Sequence, residues 1–254
     1  SNLIYMPRFF FLWMILVVPF CMMGQRKSAA PQKKEINASA SSWGIGVNTN
    51  TNSGLLGGFS FIKTFKNRSF INIDFTNTKD YREFDSPFSY NGKTYVEGKL
   101  NYLINFRPEY GRQWTLLKQA SDGGTSLNGR IATGPTIGIQ KPYYVDIVYT
   151  DVSSGRSATT SVPMAKALDN SYNKSIISGE GSFFSGLAQA KFIPGWHLKT
   201  ALEFKFETLK QNYLAVETGF IVDYFSQPVE ILNQTTPRSV YTTGYVTFFF
   251  GKSK

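Results

Sequence analysis

His197 is the only histidine in the sequence and the side chain best suited to acid–base chemistry. A histidine base needs a serine or cysteine nucleophile within hydrogen-bond reach. The His-x-Ser spacing typical of small lipid deacylases is absent, because residue 199 is a lysine. One histidine and one cysteine in 254 residues are a poor supply for catalysis. We therefore predict that the protein is not an enzyme.

Metal and cofactor chemistry has even fewer suitable side chains. Cys21, the single cysteine, falls in an apolar run near the N-terminus, so a disulfide framework and a thiolate metal site are both excluded. Gly123-Gly124 lies in a polar stretch and not between a strand and a helix, so it does not predict a phosphate loop. We expect neither a metal nor a cofactor.

A second group of chemically capable residues forms a charged row in Trp196–Glu207, where polar and apolar residues alternate. Side chains of a β-strand point alternately to its two faces, so one face of this segment is charged and the other is largely apolar. Inside a closed barrel, unpaired charges would be costly, and we predict an ion-paired interior network. The alternative is a polar path for a small solute, which needs a wider barrel. The candidate residues are His197, Lys199, Glu203, Lys205 and Glu207, with Asp74, Glu217 and Asp223 as further inward candidates.

The elements that must position these residues are β-strands. Aromatic residues make up 16% of the sequence, and 22 glycines are available for turns. From residue 42 onward the pattern alternates with a period of two over segments of about 9–12 residues, the length of a tilted membrane crossing. The pattern predicts an all-β fold, a single antiparallel transmembrane barrel over residues 42–254, with a soluble lipocalin-like barrel as the alternative. Aromatic residues stand at strand ends, as in the girdles of membrane barrels: Trp43, Trp196, Tyr213, Tyr224 and Tyr241.

The even strand number of bacterial barrels favours eight strands, with both termini on the periplasmic side. The expected strands are 42–48, 54–66, 69–81, 97–108, 129–150, 186–207, 213–226 and 239–251. The outer loops would then be 49–53, 82–96, 151–185 and 227–238, and the inner ones 67–68, 109–128 and 208–212. The inner loop 109–128 is longer than the short periplasmic turns of such barrels. Its segment 112–119 is either a strand or a plug-like helix. Breaks at Pro142 and Pro194-Gly195 would give ten strands; we prefer eight, with Pro194-Gly195 as a bulge or bend.

The first 24 residues have the layout of a secretory signal peptide. Arg8 precedes an apolar run from Phe9 to Met23, which is shorter than the ~20 residues of a spanning helix. Gly24 is the expected cleavage position, and a polar tail follows over residues 25–41. A membrane anchor and a lipoprotein modified at Cys21 are alternatives, although Phe20 does not fit a lipobox.

The net charge of +10 is compatible with an anionic membrane surface or with nucleic acid. No zinc spacing, RNP-like motif or dense basic helix is present in the sequence, so we expect no nucleic-acid partner. Part of the charge lies in a short basic tract, residues 26–34, which reads as part of a solvated tail.

Several short glycine-rich motifs recur in the predicted barrel. They are Gly98-Lys99-Leu100-Asn101, Tyr110-Gly111-Arg112, Gly134-Pro135-Thr136-Ile137-Gly138, Lys141-Pro142-Tyr143-Tyr144, Phe183-Phe184-Ser185-Gly186-Leu187 and Phe248-Phe249-Phe250-Gly251-Lys252. Together they resemble a family of outer-membrane β-barrel proteins from Bacteroidota, over residues 42–252. The resemblance implies a fold and an outer-membrane location in a Gram-negative bacterium. It supplies no catalytic or binding residue.

These observations predict a sealed outer-membrane barrel with a structural, accessory or surface-binding role. Its partners would be outer-membrane lipids and other envelope proteins, the latter through the long loop 151–185. A narrow pore or small-solute transporter is the first alternative. A lipid-modifying enzyme that uses His197 is the second.

Overall fold

Side chains alternate between the inside and the outside of a closed barrel along most strands of this protein. The computed structural model describes residues 41–86, 93–117, 125–150, 155–169, 176–207 and 211–253. The predicted signal peptide, 1–24, and nearly all of the polar tail, 25–41, lie outside these residues. The helices within these ranges are all too short or too polar to cross a membrane.

Within the described ranges the chain forms eleven strands and two short helices. The strands are β1 (Ser42–Asn50), β2 (Gly54–Thr64), β3 (Ser69–Thr78), β4 (Asn101–Leu117), β5 (Thr125–Pro142), β6 (Tyr144–Thr150), β7 (Ser157–Pro163), β8 (Ile176–Glu180), β9 (Lys191–Glu207), β10 (Asn212–Val229) and β11 (Arg238–Ser253). Helix α1 spans Met164–Leu168, and a 3₁₀ turn spans Leu187–Gln189.

Eight of these strands close into an antiparallel barrel in the order β1-β11-β10-β9-β5-β4-β3-β2. The first and last strands pair from Ser42↔Ser253 to Asn50↔Tyr245, which closes the sheet. The prediction of an eight-stranded antiparallel barrel is confirmed. An eight-stranded barrel has an interior just wide enough to be filled by side chains.

The burial of side chains follows the alternation that the sequence predicts. In β9, His197 and Lys199 are buried, whereas Leu198 and Leu202 are about half exposed on the outside. The same rule orders β3, where Asn72 and Asp74 point inward. In these parts of β3 and β9 the inward face is polar and the outward face is apolar, the inverse of a soluble core.

The predicted inner loop 109–128 is wrong. Strand β4 continues to Leu117 and β5 begins at Thr125, so segment 112–117 is a strand and not a plug helix. Pro108 and Gly111 do not end the strand, because the register on either side is unchanged, from Phe106↔Ile137 to Tyr110↔Thr133. Pro108 lies in the intervening stretch, where its missing amide hydrogen leaves only a local gap.

The single long strand predicted over 129–150 is also wrong. Strand β5 ends at Pro142, and the amide of Tyr143 donates to the carbonyl of Leu100 at 2.8 Å. The chain then leaves the barrel as β6, which pairs with β7 and β8 in a separate three-stranded sheet. The predicted loop 151–185 therefore contains two strands and helix α1, and the expected strand 186–207 begins only at Lys191.

Pro194-Gly195 does not form a bulge in the pairing of β9 with β5. The register runs evenly through Ile137↔Pro194 and Thr136↔Gly195. The break that would give ten strands is therefore absent at this position.

Candidate functional site

The barrel interior has three layers. An apolar layer lies near the short turns and another lies near the long loops. Charged side chains fill the space between them. The turn-end layer consists of Ile62, Phe70, Ala132, Tyr213, Ala215 and Phe249. The loop-end layer consists of Leu103, Ile193, Phe225, Val229, Ile231 and Leu232.

Lys199 is the centre of the charged layer. Its Nζ lies 3.2 Å from Asp74 Oδ2, 3.0 Å from Glu109 Oε1 and 3.2 Å from Glu217 Oε1. These carboxylates belong to β3, β4 and β10, so one ammonium group joins four strands around the lumen. The phenol of Tyr245 donates a hydrogen bond to the same oxygen, Glu217 Oε1, at 2.8 Å.

Two arginines extend the network toward the two ends of the barrel. Toward the turns, Arg130 binds Glu203 and Glu217, each at 2.7 Å. Toward the loops, Arg107 holds Asp223 through two hydrogen bonds of 2.7 Å. The planar guanidinium suits this two-point contact with a carboxylate, and both pairs are almost completely buried.

The imidazole of His197 is engaged at both nitrogens. Nε2 lies 3.1 Å from Glu109 Oε2, and Nδ1 lies 3.0 Å from Thr136 Oγ1. The Thr136 hydroxyl in turn donates to Asp223 Oδ1 at 3.0 Å. His197 thus links the lysine cluster to the Arg107–Asp223 pair.

Not every predicted residue joins this network. His197, Lys199, Glu203, Asp74, Glu217 and Asp223 are all part of it. Lys205 lies apart at the turn end, where Nζ donates to Ser253 Oγ at 3.1 Å and stands over the ring of Tyr213. Glu207 ends β9, and its side chain lies outside the described residues.

Three essential members of the network were missed from the sequence: Arg107, Glu109 and Arg130. The signal was present, since Asn105, Arg107 and Glu109 alternate with outward residues in β4. The prediction misses Glu109 because the strand predicted over 97–108 ends at Pro108, which leaves residues 109–128 in a loop. Arg107 and Arg130 lie within the strands predicted over 97–108 and 129–150, whose inward faces the prediction does not assign.

A second polar cluster lies at the loop end of the barrel, where Lys99 and Glu83, outside the barrel strands, meet Tyr102 of β4 and Lys141 of β5. Lys99 is 2% exposed, and its Nζ donates to Glu83 Oε2 at 2.6 Å. Burial lowers the pKa of Lys99, and the charge of Glu83 opposes this shift in part. Lys99 and Lys141 both contact the ring of Tyr102, at 4.5 Å from its centre. Lys141 Nζ also donates to the carbonyl of Phe183 at 2.7 Å. This bond links the barrel rim to the outer segment, which consists of β6, β7, α1 and β8 and the residues that follow them up to β9.

No group of three or more histidine, cysteine, aspartate and glutamate side chains within the described ranges is arranged to hold a metal ion. The carboxylates of the lumen are bound instead by lysine and arginine.

No protein-family model and no curated protein sequence matches this chain. Among the solved structures that are similar to it are two with 10% identity. One is Ail, the attachment invasion locus protein of Yersinia pestis, solved with the heparin analogue sucrose octasulfate; it has 10% identity and a TM-score of 0.31, over 85% of this chain and 97% of Ail. The other is Neisserial surface protein A, with 10% identity and a TM-score of 0.34, over 85% of this chain and 96% of that protein. The barrel assignment rests on the strand pairing of this chain itself, and its resemblance to a Bacteroidota family stays a prediction.

Proposed function

We propose that this protein is a sealed outer-membrane β-barrel of a Gram-negative bacterium, which presents its outer segment to partners at the cell surface. The observation that carries the proposal is the filled lumen. Buried ion pairs span it between two apolar layers, so a solute has no open path.

The apolar exterior supports the membrane location. Leu198, Phe220 and Val240 lie on the outer faces of three barrel strands, and each is more than half exposed. A soluble protein rarely exposes contiguous apolar surface of this extent, because its contact with water is unfavourable. In a bilayer the same faces contact lipid, and pairing of the first strand with the last closes the sheet. This argument favours a membrane barrel over the soluble lipocalin-like alternative.

The outer segment supports a surface-binding role. Strands β6, β7 and β8 form a sheet of their own, packed around Val145, Ile147 and Met164. Large apolar side chains remain exposed on and beside this sheet, including Ile176 and Phe184. Such side chains are typical of contact surfaces for other proteins.

His197 has a structural role in this proposal. Its contacts with Glu109 and Thr136 place it in the ion-paired network and not at the membrane surface. We accordingly propose that the barrel has no catalytic activity, in contrast to the lipid-modifying alternative.

Two measurements on the refolded mature chain test the proposal. The first is insertion into phospholipid vesicles, read from the different gel mobilities of heated and unheated samples. The second is ion conductance in a planar bilayer. Insertion without conductance supports a sealed barrel. Steady channels would favour the pore, and failure to insert would contradict the membrane location.

A further inference from the structure

The end of the barrel with the short turns carries a row of outward side chains on three neighbouring strands. Trp43 of β1 is paired with Lys252 of β11 on one side and with Lys63 of β2 on the other. All three side chains are exposed. Neighbouring strands lie about 4.8 Å apart, so the two lysines are about 10 Å from each other at their Cα atoms, with the indole between them. Their side chains are long enough to bring both ammonium groups to one anion.

An apolar row lies directly beside this lysine row, one outward position nearer the middle of the barrel wall. It consists of Phe250, Ile45 and Phe61, which are paired in the same order across the three strands. Each of these side chains is more than 40% exposed. The outer surface therefore changes from apolar to cationic within two residues on every one of the three strands.

Strand β11 shows how far the apolar surface extends. Between Val240 and Phe250 it has no charged residue, and Arg238 and Lys252 lie at the two ends of this run on the same face. A run of about ten residues, tilted by about 40°, covers about 25 Å, which is the height of the apolar band of a membrane barrel. In the proposed membrane location, Lys252 and its row therefore lie where the hydrocarbon meets the phospholipid headgroups.

The turn end also differs from the loop end in its charge. Acidic side chains, where the structure describes them, lie in the lumen or at the loop end. The described basic residues of the turn end are Lys63, Lys66, Arg68, Arg112, Lys205 and Lys252. Within the described part of the chain, neither Lys63 nor Lys252 forms an ion pair. At the loop end, by contrast, Arg82 and Lys99 bind carboxylates at 2.9 and 2.6 Å.

We propose that the lysine row, Lys252–Trp43–Lys63, binds the headgroup of an anionic phospholipid. The site rests on the proposed membrane location, in which the turn end faces the periplasmic leaflet. The phosphate diester lies between the two ammonium groups, which extend from apolar stems toward the headgroup layer. The indole suits the same boundary, because it combines a large apolar ring with one N–H donor. The acyl chains follow the apolar row toward Phe248 and Phe59, which are paired with Val47 on the same outer face.

The charge of this site distinguishes between phospholipids. Phosphatidylethanolamine carries an ammonium group beside its phosphate. The two lysines repel this group, and the described residues of the turn end offer it no carboxylate. Phosphatidylglycerol has the same phosphate but an uncharged, hydroxylated end, so its net negative charge is attracted by both lysines. A lysine near an anionic membrane surface strengthens binding by about fivefold.

The test measures which phospholipids the refolded mature protein retains in detergent, by native mass spectrometry. The probes are phosphatidylglycerol and phosphatidylethanolamine with identical acyl chains, supplied in equal amounts. Lys63→Gln/Lys252→Gln removes both charges of the row, and Lys63→Arg/Lys252→Arg keeps them. The matched control is Lys166→Gln/Lys191→Gln, which removes two exposed lysines at the loop end and lowers the net charge equally.

We expect the wild type to retain phosphatidylglycerol in preference to phosphatidylethanolamine. Lys63→Gln/Lys252→Gln should lower phosphatidylglycerol binding by about 20- to 30-fold, because two contributions of about fivefold are lost. The arginine variant and the loop-end control should keep the preference of the wild type. All of the substituted side chains are exposed, so each variant should keep the gel mobility of the folded barrel.

Two results would overturn the site. One is equal retention of both phospholipids by a wild-type protein that inserts into vesicles. The other is an equal loss of phosphatidylglycerol from the turn-end and loop-end glutamine variants, which would reduce the effect to net charge. In both cases the membrane location stands. Failure of the wild type to insert into vesicles would instead contradict the proposed function, and this site with it.

Discussion

Arg107 of β4 and Asp223 of β10 face each other inside the barrel, joined by two hydrogen bonds of 2.7 Å. Neither side chain is accessible to solvent beyond 1%. Strands β9 and β5 lie between β4 and β10 in the sheet. The ion pair therefore joins two strands that are not neighbours and crosses the lumen of the barrel. Such a buried ion pair adds little net stability, because both charges lose their hydration. Its main effect is to hold the two strands at a defined distance.

Removal of one partner of this pair should be strongly destabilising. Arg107→Leu leaves Asp223 charged and buried, and we expect the free energy of unfolding to fall by about 3–5 kcal/mol. Urea unfolding in vesicles, followed by tryptophan fluorescence, measures the change. The control is Arg112→Leu, an exposed residue of the same strand, which should change stability by less than about 0.5 kcal/mol. Equal effects of the two variants would contradict the role of the pair.

The double variant Arg107→Leu/Asp223→Leu distinguishes loss of the ion pair from the cost of one charge buried without its partner. With both charges gone, no buried ion remains without a partner, so the loss should be much smaller than in Arg107→Leu alone. The same unfolding measurement applies. Additive losses would show that the two side chains act independently.

Lys199→Met should destabilise the barrel without opening it. The substitution leaves Asp74, Glu109 and Glu217 without their shared cation, at a cost of about 3–5 kcal/mol. Lys205→Met is the matched control, a lysine of the same strand whose Nζ lies at the turn end, 3.1 Å from Ser253 Oγ and over the ring of Tyr213. Bilayer conductance should stay silent for both variants. Channels in Lys199→Met alone would point to a gated pore.

Gly58→Ala should be poorly tolerated. The new Cβ would meet the carbonyl oxygen of Phe75, and the φ of 156° disfavours any side chain. We expect a loss of about 2 kcal/mol or more. Gly129→Ala is the comparison, because its Cβ would meet only Leu116 at an ordinary 3.6 Å. A similar tolerance of both substitutions would show that β2 can relax at this point.

Acid should weaken the outer loop that contains Asp80. Burial opposes ionisation of Asp80, but the hydrogen bonds and charge of Arg82 outweigh it and lower the pKa of Asp80 below its usual 3.8. A lowered folded-state pKa adds stability above pH 3.8, and this stability is lost as the pH falls through the folded-state pKa. The exposure of Arg82 limits the effect to less than about 1 kcal/mol.

Amide hydrogen exchange of residues 79–86 between pH 2 and 5 measures this loop, after correction for the intrinsic rate. Asp80→Asn supplies the control, since it cannot ionise and should lose the additional acid sensitivity. The same pH dependence in both proteins would exclude Asp80 as its source.

Alternation of residue type was enough to predict the barrel and the inward row of β9. His197, Lys199 and Glu203 face inward because side chains of a strand alternate, which is a local property of the backbone. The predicted strand end at Pro108 is wrong, because β4 continues through this residue with the same register to β5 on both sides of it. At Pro142 the chain does leave the barrel, and the local sequence does not distinguish the two cases.

The sequence by itself determined the fold class, the even strand number and the polarity of the two barrel faces, because each depends on residue order within single strands. Only the tertiary structure decided which charges meet. Arg107 and Asp223 are 116 residues apart, and they pair because barrel closure and register bring β4 and β10 to opposite sides of one narrow lumen. The end of the pairing between β2 and β3 at Gly58↔Thr76 has the same origin, since it depends on the register of two strands.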